Sequence, residues 1–303
     1  MALPQVCPLC RAGADNQHVV TRHVYGAEQQ GRAFFHCATC DVRYMHPGLT
    51  REQQHRFYAA EFGRFMAGRS GERAGWMQPG DHVRANEPTR VRRMNYLAPH
   101  LKTASNVLEV GCSSGFMLFP LIEAGHRCSG VEPSGVFGEY LRGRGLTVYQ
   151  DVADIPAEIG VFDLVMHFFV LEHISDPLPF LQLLVSLLSK NGTLVFEVPN
   201  AADALYSIYD IPAFERFYWS IAHPWYFSER SLSYLLAALG HPYRIELDQR
   251  YDLSNHMVWA RDGRPGGMGR FTKEFGQDME ELYKRELVRA RKCDTLIGFV
   301  TKA

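Results

Sequence analysis

The chain has 303 residues, 46% of them apolar, which is enough for one substantial core and an accessory module. Its 32 basic and 33 acidic residues nearly cancel, and no long run of Lys or Arg occurs, whereas a strong nucleic-acid binder usually carries a basic face. The apolar segments are too short or too interrupted to cross a bilayer. The composition therefore predicts a soluble globular protein with no membrane partner, and it disfavours a nucleic-acid partner.

The N-terminal segment, residues 1–48, carries two C-x-x-C pairs, Cys7 with Cys10 and Cys37 with Cys40. Four thiolates in this arrangement can close a tetrahedral structural Zn²⁺ site, and the stretch between the pairs can form the hairpin of a zinc ribbon. Disulfides are disfavoured because the N-terminus lacks an apolar signal segment, and we expect a cytoplasmic protein. Such a ribbon either shapes the structure and the substrate site or docks nucleic acid, and the balanced charge favours the first role.

Residues 49–104 are predicted to form a helical cap and a linker. Thr50, followed by Glu52 and Gln53, marks a helix start, and apolar residues recur at helical spacing between 89 and 100. Residues 63–88 are rich in Gly, Arg and polar side chains, which indicates a linker or a mobile lid.

The stretch NVLEVGCSSG at 106–115 predicts a strand, a glycine turn and the start of a helix, and a second strand ends at Glu132. This is the layout of a nucleotide-binding βαβ unit. Gly111 and Gly115 have no glycine between them, so the spacing is not the G-x-G-x-x-G that closes on a pyrophosphate. Glu109 would repel a pyrophosphate but suits the ammonium of a methionine moiety. The same glycines could instead serve only a tight turn in a structural domain.

This Glu-x-Gly-x-x-x-Gly motif with its downstream acid resembles motif I and the second-strand acid of class I S-adenosylmethionine (SAM) dependent methyltransferases. Further segments resemble that family in the same order: residues 148–165, VLEHISDP at 170–177, and GTLVFEVPN at 192–200. The run TLIGFVT at 295–301 resembles the antiparallel seventh strand that ends the family's sheet. The resemblance implies an α/β fold over residues 105–303, a Rossmann-like seven-stranded class I sheet, with the zinc ribbon and helical cap in front of it.

Alternating strand and helix patterns independently predict a parallel sheet. The predicted strands are 106–110, 127–131, 146–149, 162–167, 193–198 and 242–248, and the predicted helices lie near 115–124, 134–143, 177–189 and 228–239.

The resemblance also implies SAM as cofactor and a set of residues that bind it. In that set Glu109 anchors the ammonium, Glu132 accepts from the ribose hydroxyls, and Asp151 with the amide of Val152 faces the adenine. His167 contacts either cofactor or substrate, whereas His173 can simply shape its loop. The full predicted set is Glu109, Gly111, Cys112, Gly115, Glu132, Asp151, Val152, His167, Phe168 and His173.

The substrate is expected between two segments, a lid at 200–227 and an insertion at 249–292. The lid is rich in aromatic residues, which either pack together or form a stacking wall for a ring-shaped acceptor. The stretch IAHPWYFS resembles the His-x-x-x-Phe-Ser segment of relatives, and its His223 is a candidate general base or a structural histidine. The candidate catalytic residues are His223 and His167, and the candidate substrate residues are Tyr206, Tyr218, Trp225, Tyr226, Asn255 and His256.

Within the insertion, residues 261–267 are either a binding loop or a plain turn, and the predicted helix 271–291 faces solvent or forms a homodimer contact. The leading functional hypothesis is a SAM-dependent methyltransferase of a small polar or sugar-like metabolite, acting at oxygen. One alternative is a ribosomal or transfer RNA methyltransferase with a zinc docking module. The other is a SAM-binding subunit that does no chemistry.

Overall fold

The structure is a computed structural model that describes residues 3–27, 31–57, 65, 78–103, 105–156, 159 and 161–303. Most of the predicted linker at 63–88 lies outside these residues. Its described end, Pro79–Ala85, is a helix.

Eleven strands are found in the described residues: β1 Gln17–Thr21, β2 Ala33–Cys37, β3 Arg43–His46, β4 Asn106–Val110, β5 Arg127–Val131, β6 Thr147–Tyr149, β7 Phe162–Phe168, β8 Leu188–Pro199, β9 Trp225–Tyr226, β10 Tyr243–Asp248 and β11 Thr295–Thr301. The α-helices of the described residues are α1 Arg51–Arg56, α2 Pro79–Ala85, α3 Glu87–Leu97, α4 Leu118–Glu123, α5 Gly135–Gly143, α6 Pro177–Ser186, α7 Ala204–Ser207, α8 Pro212–Tyr218, α9 Glu229–Ala237, α10 Leu253–Asp262, α11 Thr272–Phe275 and α12 Gln277–Arg289.

The larger sheet has seven strands in the order β10-β11-β8-β7-β4-β5-β6. Strands β8, β7, β4, β5 and β6 pair in parallel, and β11 pairs antiparallel with both of its neighbours. The four residues of β4 after Asn106 are all buried, as expected for a parallel strand covered on both faces. The predicted class I methyltransferase sheet, including its antiparallel last strand, is confirmed.

Two apolar clusters fill the two faces of this sheet. One contains Leu184 of α6 and Leu235 of α9 packed with Phe196 of β8. The other contains Leu121 of α4 and Leu141 of α5. No helix of the described residues is long and apolar enough to cross a membrane.

The smaller sheet joins three N-terminal strands to a strand of the segment 200–227. Its order is β1-β2-β3-β9, so its last strand comes from the segment predicted as the lid. Tyr44 of β3 pairs with Trp225 of β9, and the Met45 amide donates to the Pro224 carbonyl at 2.9 Å. The ribbon therefore fixes the backbone immediately after His223.

Candidate functional site

The glycine loop after β4 requires glycine at both ends of its motif. Gly111 and Gly115 have φ angles of +75° and +71°, which disfavour other residues. A Cβ at Gly111 would lie 2.8 Å from Cγ2 of Val170, and one at Gly115 would lie 2.7 Å from Cδ2 of Leu141. The Gly111 amide donates to the Val131 carbonyl at 2.8 Å, which holds the loop at the carboxyl edge of the sheet. At this edge, open α/β sheets bind their ligands.

We predict that Gly111→Ala lowers SAM affinity roughly tenfold, because a left-handed alanine costs about 1–2 kcal/mol and the new methyl displaces the loop. Gly145→Ala is the matched control, since Gly145 also has a positive φ of +83° but a Cβ added there would meet no atom within 4 Å. Isothermal titration with SAM checks both variants. Equal affinities in the two would contradict a role for the loop in holding the cofactor.

Glu132 is held beside the glycine loop by two backbone amides. Its Oε2 accepts from the Ser113 amide at 2.7 Å and its Oε1 from the Ser134 amide at 2.8 Å. Burial raises the pKa of this carboxyl, and the amides of Ser134 and Ser113 oppose that rise. Because each carboxylate oxygen has a second lone pair, the group can still accept hydroxyl donors from a ribose.

Glu109 is a buried acid on β4, two residues before Gly111. Burial raises the pKa of Glu109 to about 8, while the nearby Arg93 opposes this and Glu132 adds to it. Its Oε2 has no hydrogen-bond partner among the described residues. An ammonium group placed here would satisfy that oxygen and favour the ionised carboxylate.

The segment after β7 brings three functional groups together. Val170 packs on Gly111, and the turn Leu171–His173 follows directly. Glu172, His173 and His223 each offer an oxygen or a ring nitrogen, and these atoms lie within 4.8 Å of one another. The imidazole rings of His173 and His223 are 4.6 Å apart at 79°, and Nδ1 of His173 lies 2.6 Å from the Ala222 carbonyl oxygen. Sequence reasoning named both histidines but missed Glu172.

Two residues, one on α2 and one on α3, contact the glycine loop and the end of β7, and neither was predicted as a site residue. A ring nitrogen of His82 on α2 lies 2.9 Å from the Ser114 hydroxyl, and its ring packs on Phe116 and Phe137. Arg93 on α3 stacks on Phe168 at 3.8 Å. A polar, charged helix such as 79–85 carries no sequence signal for this contact.

His167 requires a correction. Its side chain is completely buried, stacked on Phe196 at 4.8 Å and packed near Phe180 of α6. Burial lowers the pKa of His167 to about 3, so the ring is neutral. Neighbouring strand residues point to opposite faces, so His167 packs into the core while Phe168 lies under Arg93 on the other face. We therefore leave His167 out of the proposed site.

Most of the predicted substrate residues lie in packed structure. Tyr226 is fully buried, and its hydroxyl donates to the Tyr218 carbonyl. Trp225 donates from its indole to the Ile174 carbonyl at 2.9 Å. The half-buried Tyr206 packs on the rings of Tyr218 and Trp219. These aromatics form a cluster that supports the His223 segment rather than an open stacking wall.

Asn255 and His256 are also buried. The Asn255 side chain donates to the Gly266 carbonyl at 2.7 Å, and His256 Nδ1 lies 2.6 Å from the Tyr283 hydroxyl. Both contacts tie α10 to later residues of the predicted insertion, and the role of Asn255 and His256 in substrate binding stays a prediction.

The remaining predicted cofactor residues take different positions. Cys112 is buried, and its sulfur occupies the space that a side chain at Gly130 would need. Asp151 is exposed and accepts from the Ala153 amide at 2.9 Å, so it caps the short turn that contains the buried Val152.

The four N-terminal cysteines converge as predicted. Cys7 and Cys40 have sulfur atoms 3.8 Å apart, and those of Cys10 and Cys37 are 3.6 Å apart. A tetrahedral zinc site with Zn–S bonds near 2.3 Å requires sulfur separations of about 3.8 Å. The residue directly after the second cysteine of each pair has a positive φ. These residues are Arg11 and Asp41, so the two C-x-x-C segments turn in the same way.

The sheet order, the glycine loop and the acid at the end of β5 together define a class I SAM-dependent methyltransferase. The methyltransferase-domain family matches residues 82–241, and the chain belongs to that family. The protein is thus a SAM-dependent methyltransferase.

Two named relatives differ in their substrates. The chain is 26% identical over 206 residues to a ubiquinone biosynthesis O-methyltransferase of Methylococcus capsulatus, a match covering 62% of this chain and 75% of the relative. It is 36% identical over 114 residues to a tRNA U34 carboxymethyltransferase of Idiomarina loihiensis, which covers 33% of this chain and 35% of that protein.

Among solved structures, a magnesium protoporphyrin IX methyltransferase from Synechocystis with bound S-adenosylhomocysteine aligns with a TM-score of 0.50 at 16% identity. The alignment covers 82% of this chain and 98% of the other. At this identity the likeness concerns the fold.

Proposed function

We propose that the protein transfers a methyl group from SAM to a hydroxyl oxygen of a small polar or sugar-like metabolite. The observation that carries this proposal is the cluster of Glu172, His173 and His223, which begins two residues after Val170, the residue packed on Gly111. A hydroxyl acceptor must lose its proton during transfer, and an imidazole is a suitable base near neutral pH. The match to a protein named an O-methyltransferase also supports oxygen as the acceptor atom.

In this proposal the chain's own residues hold the cofactor at the carboxyl edge of the sheet. Glu109 receives the ammonium, Glu132 the ribose hydroxyls, and the turn after Asp151 borders the adenine. When bound, SAM supplies a methyl group on a sulfonium that leaves as a neutral thioether. The protein's main contribution is then to align the acceptor and exclude water, with His223 taking the proton.

We further propose a modular division with Zn²⁺ at the four cysteines. The modules are residues 1–48, 49–104 and 105–303, with a lid at 200–227 and an insertion at 249–292. The sulfur separations of 3.6 and 3.8 Å suit a closed structural site with no open position for catalysis.

An RNA acceptor is the second candidate. The sequence identity to the tRNA carboxymethyltransferase is higher than that to the ubiquinone O-methyltransferase, although the match covers only 33% of this chain. To decide, methyl-labelled SAM is incubated with the protein and with a cell extract split into small-molecule and RNA fractions. Label in the small molecules supports the proposal, and label confined to RNA overturns it.

We predict that His223→Ala lowers turnover about 100-fold, the scale of general base catalysis, without changing SAM affinity. His18→Ala, which alters an exposed histidine of β1, is the control. Turnover is measured as label transferred to the small-molecule fraction. Unchanged turnover in His223→Ala would remove His223 as the base.

A further inference from the structure

Glu172 is the buried acid of the cluster that also contains His173 and His223. It has no exposed surface, and neither carboxylate oxygen has a hydrogen-bond partner among the described residues. Buried carboxyls in proteins are normally paired or hydrogen-bonded, because burial without a partner is costly. Two groups able to share its proton or charge, the rings of His173 and His223, offer nitrogen atoms within 4.8 Å.

The charges facing Glu172 come from two other elements. Arg250, in the loop after β10, favours the ionised carboxylate, and Glu197 of β8 opposes it. Burial is the largest influence and raises the pKa of Glu172 to about 8. An imidazolium nearby would favour the carboxylate, so we expect electrostatic coupling between this acid and the imidazoles.

We propose that Glu172 is a positioning residue that orients His223 and, through its carboxylate, stabilises the imidazolium formed during methyl transfer. This inference rests on the proposed function. The acceptor's O–H proton passes to a ring nitrogen of His223 while the oxygen bonds to the methyl carbon, and the electrons of the carbon–sulfur bond return to sulfur. The imidazolium then releases its proton to solvent. A carboxylate behind a histidine base is the arrangement that fixes the base in other enzymes.

The coupling has a signature that does not require an acceptor. In protein labelled with ¹³C at histidine Cε1, the His223 signal is assigned with His223→Asn and followed from pH 5 to 10. We expect this signal to shift in a step near pH 8, where Glu172 loses its proton, as well as at the pH where the ring itself titrates. Glu172→Gln should remove the step near pH 8, and Glu52→Gln, which alters an exposed acid of α1, should keep it.

The proposal is overturned if the wild-type protein shows a single titration step. It is also overturned if the step near pH 8 is unchanged in Glu172→Gln. The wild-type measurement suffices even where Glu172→Gln fails to fold. Metal content is measured on the same samples: one zinc per chain is expected, and a second metal ion lost in Glu172→Gln would instead make the cluster a metal site.

Kinetics give an independent readout with the labelled extract as acceptor source. Wild-type turnover should rise with pH through about 8, because Glu172 must be ionised to act. In Glu172→Gln turnover should fall about 100-fold and this rise should move toward the ordinary histidine range near 6.5. Absence of any label transfer in the wild type would refute the proposed function alone, since the titration does not depend on it.

Discussion

Cys37→Ser will abolish methyl transfer while leaving SAM binding largely intact. Cys37 is completely buried at the end of β2, and its sulfur is one of the four that converge. Structural zinc sites of this kind contribute about 10–16 kcal/mol to folding, so losing one thiolate should unfold the small sheet.

Unfolding of the small sheet should also disturb the proposed acceptor site, because the small sheet includes β9. Besides the β3 to β9 pairing, the Ser228 hydroxyl donates to the Asp41 carbonyl at 3.2 Å, one residue beyond Cys40. The segment that carries His223 is thus supported by the ribbon. The glycine loop and Glu132 follow β4 and β5, which pair with strands of the large sheet, so we expect SAM binding to be largely retained.

The measurement combines zinc content, isothermal titration with SAM and label transfer to the small-molecule fraction. Cys128→Ser is the control, because Cys128 is a half-buried cysteine of β5 outside the cluster. Full methyl transfer by a zinc-free protein would show that the ribbon does not support the acceptor site.

Much of the large sheet could be predicted from the sequence because strands such as β4 and β7 are short, mostly apolar runs. The strand at 106–110 has the predicted bounds, and the antiparallel pairing of 295–301 follows the family resemblance. Strand β8 begins earlier than predicted, at Leu188, since Leu188 pairs with Phe162 where the pattern suggested a longer helix.

The candidate site was only partly predictable. The sequence places His167 and Phe168 at the end of an apolar strand but does not tell which face each occupies, because both faces are buried. The sequence also does not tell whether the aromatic residues of 200–227 pack together or form a stacking wall. In the structure, β9 pairs with β3, and Trp225 and Tyr226 are buried. Such pairings join residues far apart in the chain, which periodicity cannot reveal.

The other large effect is expected for Glu197→Gln. This substitution should lower the free energy of unfolding by about 3–5 kcal/mol, because it leaves a buried charge without its partner. Glu197 has no exposed surface, and it accepts from Arg93 Nε at 3.0 Å and from the Tyr96 hydroxyl at 2.7 Å. Nη2 of Arg92 lies 2.6 Å from Oε1 of the same carboxylate. The substitution keeps the shape of the side chain but leaves Arg93 buried without a counter-charge.

The pH dependence has a definite sign. Burial alone would raise the pKa of Glu197, but Arg93, Arg92 and Arg250 outweigh it and hold the pKa below its ordinary value of 4.5. A carboxyl with a lowered folded-state pKa stabilises the protein above its unfolded pKa and loses this contribution as the pH falls through the folded one. The difference between wild type and Glu197→Gln should therefore be full at pH 7 and shrink below about pH 4.5.

Urea unfolding at pH 7 and at a series of lower pH values measures this difference. Glu246→Gln is the control, because its pair with Arg244 on β10 is about half exposed and should contribute at most about 1 kcal/mol. A loss in Glu197→Gln no larger than in Glu246→Gln would mean that Arg93 and Arg92 find other partners or water. In that case the cap helix α3 would be held to the sheet by its apolar contacts, such as Leu97, and not by the buried charge.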